Sequence, residues 1–557
     1  MMNSKAMKKK ILGAAIGDCV HVAGVMNFLR LAEEQGYDTH FLGPAVAPGD
    51  VVAAALEYDP DIIAVGYRLT PDSGERVIMD FGDQITKAGL SDKRLVFGGT
   101  EPVCRLAERL DLFEAVFSGI TPLEEVIAFL RGSKRDQGRY VYPDRLVDRI
   151  EWKAPYPVIR HHFGLPDLEA TIAGVETIAA SGCLDVISLG VDQNTQEHFF
   201  RPDEMDDQQH GAGGVPVRSR AEFRRLYEAS RRGNFPLIRC YSGTRDILKM
   251  AEVLHDELHN AWCAIPLTWY SILDGRSQRS LLDTIREAQQ VLAWHGRQGI
   301  PVEMNESHHW SLRDSPDVVA AAMAFLAAYN AREMGVGNYL QQMMFNNPPG
   351  TSFAMDLAKM LAKLDLVEEL QNDGFTVWRE TRGGLSSYPA DLSMAKGHLA
   401  STVMVQMAVR PHILHVVGFP EADHAASAEE VIESSQIARK VIENCLMGMP
   451  DMTLDAKVQA RREKLRDETR LLLETIKQLA PSGVSDPWAD PVTLTRAVEV
   501  GLIDAPHLRN NPTARGTVVT RMIEGAWYAV DPDTKVPFTE QQRIDHVWRD
   551  YEAMVGA

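Results

Sequence analysis

Near its N-terminus the chain reads Gly17-Asp18-Cys19-Val20-His21-Val22-Ala23-Gly24. A basic-then-apolar run, residues 8–16, precedes it and reads as a first β-strand. A histidine just past a strand, three residues before a glycine that opens an amphipathic helix, is placed to reach a metal at the C-terminal edge of a sheet, where open α/β sheets bind their ligands. Such a ligand needs an acceptor for its second ring nitrogen. A solvated loop histidine is the alternative. Four later strand-like runs also end in polar residues: Asp192, Asn194 and Gln196; Arg239, Tyr241 and Arg245; Asn305-Glu306-Ser307-His308-His309-Trp310; and Glu421, Asp423 and His424. Barrel enzymes do their chemistry at the C-terminal ends of strands. Gln196, Arg239, Glu306, His308 and His309 are therefore the candidate catalytic groups, suited to gripping a polar substrate. Zinc at His308-His309 is an alternative, although adjacent histidines on one strand point different ways. No activated nucleophile stands out.

These residues need a scaffold. Strand-like runs at 10–16, 38–42, 61–65, 94–97 and 115–118 alternate with amphipathic helices at 24–35, 49–58, 72–88, 101–110 and 122–130, which predicts a doubly wound parallel sheet over residues 8–132. Residues 133–157 are polar, carry three prolines and read as a linker. A second α/β pattern follows over 158–450, with strands expected at 185–189, 236–240, 261–267, 301–305 and 413–417 and helices at 314–331 and 354–372. Repeated βα units over this length suggest a (β/α)8 barrel. Residues 343–350 read as a helix end and turn, and 453–479 as a charged surface helix. Residues 451–557 form a mixed extension completing the barrel domain.

The bulk numbers fit such an assembly. A chain of 557 residues holds two to four domains, and 45% hydrophobic with 24% charged residues is ordinary for a globular protein. The formal charge of −19 argues against nucleic acid or an anionic membrane as a partner. Six cysteines are scattered without paired spacing, so neither a disulfide framework nor a zinc knuckle is expected. The apolar run after Lys8-Lys9-Lys10 is too short and too quickly followed by Asp18 for a signal peptide, and a cytoplasmic location is expected.

The first 130 residues resemble the cobalamin-binding domain of B12-dependent mutases and methionine synthase, a flavodoxin-like fold. His21-Val22-Ala23-Gly24 matches the second half of the family's Asp-x-His-x-x-Gly motif. Leu69-Thr70-Pro71 stands where its Ser-x-Leu ends, Phe97-Gly98-Gly99-Thr100 supplies its double glycine, and Ser118-Gly119 fits its last strand end. The resemblance implies His21 as the lower axial cobalt ligand. It also implies that small residues such as Gly98 and Gly99 line the slot for the displaced nucleotide tail. Cys19 occupies the family's aspartate position, with Asp18 one step further from His21. Tyr67 or Gly66 replaces the motif serine.

From residue 158 onward the chain resembles the catalytic barrel subunit of glutamate mutase (methylaspartate mutase). The likeness runs through residues 185–200, 235–254, 299–305 and 411–439, and its most specific part is 497–504 with 535–540. The family's arginine cluster is replaced by His162 and Gln196, with Arg239 near its place. The groups that hold the adenosyl ribose fall near Gly418-Phe419-Pro420-Glu421, which implicates Glu421 and Asp423. The resemblance implies an adenosylcobalamin-dependent radical mutase, a homodimer, acting on a small polar acid or amino acid other than glutamate. The alternatives are a corrinoid methyltransferase and a non-catalytic cobalamin-binding protein.

Overall fold

The computed structural model describes residues 8–121, 123–132, 135–136, 139–275 and 277–555. The chain divides into two compact units between Tyr142 and Pro143.

In the first unit, β1 (Lys10–Ala15), β2 (Asp38–Phe41), β3 (Ile62–Tyr67), β4 (Arg94–Gly99) and β5 (Ala115–Ser118) form one parallel sheet in the order β2-β1-β3-β4-β5. Helices Ala23–Glu34, Pro48–Tyr58, Pro71–Lys87, Glu101–Arg109 and Leu123–Leu130 follow the strands in turn. Central strand β3, Ile-Ile-Ala-Val-Gly-Tyr, is buried along its whole length, as a strand covered on both faces requires. Strand order reverses between β1 and β3, so a crevice opens at their C-terminal ends. His21 follows β1, and Leu69 and Thr70 follow β3.

The region expected as a linker holds more structure. Strands β6 (Arg135–Asp136) and β7 (Arg139–Tyr140) pair antiparallel. Residues 133, 134, 137 and 138 of this region lie outside the described residues. Beyond them, helix Leu146–Lys153 packs as part of the barrel unit. Its buried positions include Arg149 and Lys153. Arg149 donates to the carbonyl of Phe235 at 3.1 Å, and Lys153 pairs with Asp185. Two basic residues share the buried face with Leu146 and Ile150, so composition alone reads as solvated.

Eight parallel strands then close into a TIM-like barrel: β8 (Val158–Phe163), β9 (Val186–Leu189), β10 (Leu237–Tyr241), β11 (Cys263–Ala264), β12 (Val302–Glu303), β13 (Asn338–Phe345), β14 (Thr376–Gly383) and β15 (Ile413–Val416), with β15 pairing back to β8. Residues 343–345, expected at a helix end, instead finish β13, and the turn begins at Asn346.

Helix Ala456–Lys477, expected on the surface, buries Leu465, Leu472 and Ile476 completely. It packs on helices Asp317–Glu333 and Phe353–Glu368. Its Arg461 donates to Asp317 at 2.9 Å, and Asp317 lies 3.5 Å from Lys359. The backbone N–H of Trp527 also donates to Asp317, at 3.2 Å. Trp527 belongs to β17 (Ala526–Ala529), which pairs with β16 (Thr520–Ile523) ahead of the last helix, Glu540–Val555. Among the described residues no helix is long and apolar enough to cross a membrane.

Candidate functional site

In the first unit the candidate residues line the C-terminal edge of the sheet. Gly17, at φ +62°, turns the chain after β1 and donates to the carbonyl of Val46 at 2.9 Å. A side chain there would be strained. The turn drives Cys19 into the core and leaves Asp18 and His21 exposed. Among the described residues neither a hydrogen bond nor an ion pair joins Asp18 to His21 or engages either side chain, so Asp18 does not orient the imidazole. Thr70 caps helix Pro71–Lys87, accepting from Ser73 N, and its hydroxyl is 2.8 Å from that of Ser73. Tyr67 donates to the same Ser73 hydroxyl at 2.6 Å. Ser118 donates its backbone N–H to Thr121 at 2.8 Å, closing the turn after β5.

The glycines at this edge fall into two kinds. A Cβ on Gly99 would sit 2.7 Å from the carbonyl oxygen of Tyr67 and 3.0 Å from the Phe97 ring. Its bareness serves the packing of β4 on β3. A Cβ on Gly98 would meet only the Phe117 carbonyl, at 3.8 Å, and one on Gly24 or Gly119 would meet nothing within 4 Å. None of these three needs a left-handed backbone, so the fold itself does not demand them. Gly99→Ala should cost about 1–3 kcal/mol, whereas Gly98→Ala should change stability by less than about 0.5 kcal/mol, both read from urea unfolding midpoints. Equal losses would erase the distinction. Around these glycines the loops expose apolar side chains, Val20 at 62%, Leu69 at 38% and Ile120 at 74%.

The barrel of the second unit is filled in layers. Its base is apolar, built from Val158, Leu237, Leu340, Ile413 and the ring of Trp262. Above it, Arg160, Arg239, Glu303 and Glu380 come from alternate strands β8, β10, β12 and β14, the arrangement of one four-residue barrel layer. All four are buried. Glu303 accepts from Arg160 and Arg239, both at 2.9 Å, from Trp262 Nε1 at 2.7 Å and from Gln342 at 2.5 Å. Arg160 also pairs with Glu380. Burial would raise Glu303, but Arg239 and Arg160 hold it below the usual carboxylate range. Burial, against Arg160 but reinforced by the charge of Glu303, raises Glu380.

The next layer toward the mouth holds His162, Tyr241, Arg382 and His415. Tyr241 Oη is 3.0 Å from His162 Nε2, and the rings of His162 and His415 lie 4.6 Å apart. Arg382 and His415 are register partners on adjacent strands. Burial, then the nearby arginines, keeps His162 and His415 well below the ordinary imidazole value, so both rings are neutral.

The structure places the other candidates differently from one another. Glu306 and His308-His309 stand on a short helix, Glu306–Ser311, not on a strand. The two histidine rings therefore stack, at 4.6 Å, rather than diverge. Among the described residues no group of three or more His, Cys, Asp or Glu side chains could hold a metal ion. Glu306 is committed to the loop after β11, accepting from the backbone of Leu267 and from the N–H and hydroxyl of Thr268 at 2.9 and 2.6 Å. Gln196 donates to the Val191 carbonyl at 2.8 Å. Asp192, on the same segment, is buried against Arg218 and Thr195. Glu421 accepts from Gly418 N at 2.7 Å, while Asp423 makes an exposed contact with His424 at 2.9 Å. Arg239 alone of the five catalytic candidates lies in the central charged layer. His308 is buried at the mouth with its Nδ1 unpartnered. Arg160, Glu303, Glu380, Arg382 and His415 were not among the sequence candidates. The spacing-of-two pairs Arg160/His162, Arg239/Tyr241 and Glu380/Arg382 were the available signal, since such pairs face one side of a strand.

No family model and no curated protein matches the chain. Among solved structures it is similar to a cobalamin-binding protein from Desulfitobacterium hafniense DCB-2, at 25% identity over 20% of this chain and 52% of that one, with a TM-score of 0.17. The chain thus spans about half the length of that protein. It is also similar to a type I 3-dehydroquinate dehydratase from Clostridium difficile, at 10% identity over 52% of this chain and 93% of that one, with a TM-score of 0.24.

Proposed function

We propose that this chain is an adenosylcobalamin-dependent carbon-skeleton mutase acting on a small polar acid other than glutamate. The observation that carries the reading is the set of glycines that the fold does not need, Gly24, Gly98 and Gly119, beside an exposed, unpartnered His21 at the sheet's strand-order reversal. The order β2-β1-β3-β4-β5 is that of flavodoxin-like sheets, which bind at this reversal. A large, flat, mostly apolar group fits the exposed Val20, Leu69 and Ile120. His21 is the residue to ligate cobalt, and Gly98 leaves room for the nucleotide tail.

Bound adenosylcobalamin would supply a carbon-centred radical that removes and returns a substrate hydrogen. The barrel's own residues then have three tasks. The Arg160–Glu303–Arg239–Glu380 layer closes the floor and keeps water from entering from below. Neutral His162 and His415 offer hydrogen bonds without charge, and Tyr241 fixes the His162 ring. None of these roles calls for an activated nucleophile.

The protein with added adenosylcobalamin should give the spectrum of a cofactor whose benzimidazole is displaced by histidine, and His21→Ala should remove that spectrum. Gly98→Ala should weaken cobalamin binding about 10- to 100-fold, as one misplaced methyl does in a tight site. Identical spectra for wild type and His21→Ala would sink the axial-ligand assignment. Spin resonance during incubation with candidate acids tests the mutase step separately. Tight binding without any radical signal would leave a cobalamin-binding protein.

A further inference from the structure

The charges inside the barrel do not cancel at the mouth. Below, two arginines and two glutamates pair with one another in the buried layer. Above, in the ring of His162, Tyr241, Arg382 and His415, the arginine is the one charged group. Arg382 Nε donates to the Gly383 carbonyl at 3.3 Å, and among the described residues no side chain accepts from its terminal nitrogens. The carboxylate nearest in influence, Glu421, is committed to Gly418 N and lies 3.7 Å from His161 Nε2. Several polar atoms at the same end are buried and unpartnered: His415 Nδ1, His308 Nδ1, Asn305 Oδ1 and Asn347 Oδ1. Buried polar atoms are normally satisfied, and Arg382, partly exposed at the mouth, has no carboxylate paired with it among the described residues. Both features are relieved by one occupant that is anionic at one end and hydrogen-bonding elsewhere.

We infer that Arg382 is the carboxylate-binding residue of this barrel, and that its ligand is a monocarboxylic acid whose uncharged polar groups meet His415 and His308. The inference rests on reading the barrel mouth as the substrate end, and moves the acid-gripping role to β14 from the positions of His162, Gln196 and Arg239. A planar guanidinium matches a carboxylate with two parallel hydrogen bonds. One cation ringed by neutral imidazoles suits one negative charge. A dicarboxylate or a phosphate dianion would bring a second charge that no other cation of this ring meets.

The test uses the full chain without corrinoid, so it stands whatever the fate of the cobalamin reading. Acetate, butanoate, butanamide, glutarate and inorganic phosphate are compared by thermal shift and calorimetry on wild type, Arg382→Met and Arg382→Lys. Acetate or butanoate should raise the Tm of wild type, and butanamide should not. Arg382→Met should weaken that binding about 10- to 100-fold, the worth of a charge-assisted hydrogen bond, and Arg382→Lys should recover part of it. Without ligand, Arg382→Met should melt at or above the wild-type temperature, because it removes an uncompensated charge. A lower melting temperature would make Arg382 structural and overturn the assignment. So would no response to either monocarboxylate, or glutarate or phosphate binding as tightly as butanoate.

Discussion

Glu303→Gln is expected to destabilise the barrel by about 3–5 kcal/mol, the scale for breaking a buried ion cluster by removing one partner. The carboxylate accepts from two guanidiniums, an indole and an amide, all within a layer closed to water. The substitution replaces an acceptor of four donors with a group that is half donor, and leaves Arg160 and Arg239 with only Glu380, whose carboxyl burial already pushes toward the protonated form. Replacing the whole layer is a different experiment. Arg160→Met, Arg239→Met, Glu303→Leu and Glu380→Leu made together strand no charge, and should restore stability to the wild-type level or above it. Urea unfolding of the two proteins decides the matter. A single variant as stable as wild type would mean that the four charges are not coupled.

Acid should weaken the same unit. Burial lowers the pKa of His162, His308 and His415 far below the ordinary imidazole value, and lowers that of His161. The unfolded chain titrates its histidines near 6.5. Their contribution is complete above that pH and is lost as the pH falls through it, because the unfolded chain takes up protons that the fold refuses. Each such histidine adds a slope of about 1.4 kcal/mol per pH unit. Glu380, raised by burial, has the opposite sign and offsets one of them. Unfolding free energies measured from about pH 7 down to about pH 5 should therefore fall. His415→Gln should fall less steeply, by about 1.4 kcal/mol per unit. Parallel curves for the two proteins would mean that His415 is charged in the fold.

The two halves of the chain were unequally legible. The five βα units of the first could be read almost to the residue, because Ile62–Tyr67 and its neighbours are apolar throughout and the helices between them are amphipathic. The repeat of the barrel could be read too, but strands β8, β13 and β14 could not. Their inward positions are Arg160, His162, Gln342, Glu380 and Arg382, so the apolar-in alternation that marks a strand is absent. Arg239 was recognisable because it interrupts an otherwise apolar strand. Its ion-pair partner Glu303 lies 64 residues away in the chain, and Arg160 lies 220 residues from Glu380; pairing across such spans leaves no local pattern. Glu306 misled for the converse reason. A carboxylate at a strand end reads as available, and nothing in the order of residues says that Thr268 already occupies it.

The Asp317 cluster bears on how the barrel is made. Arg461 and the backbone of Trp527 complete the partners of Asp317, and Trp527 emerges from the ribosome 210 residues after it. At ordinary rates of synthesis, about 5–20 residues per second, that is a wait of roughly 10–40 s. The last strand ends at Val416, so only in the later part of that interval do Asp317 and Lys359 stand in a nascent barrel that has every strand but still lacks the hairpin that seals them. The eight strands can be paired well before this side of the barrel is covered, and its exposed helices are the surface that a chaperone would meet.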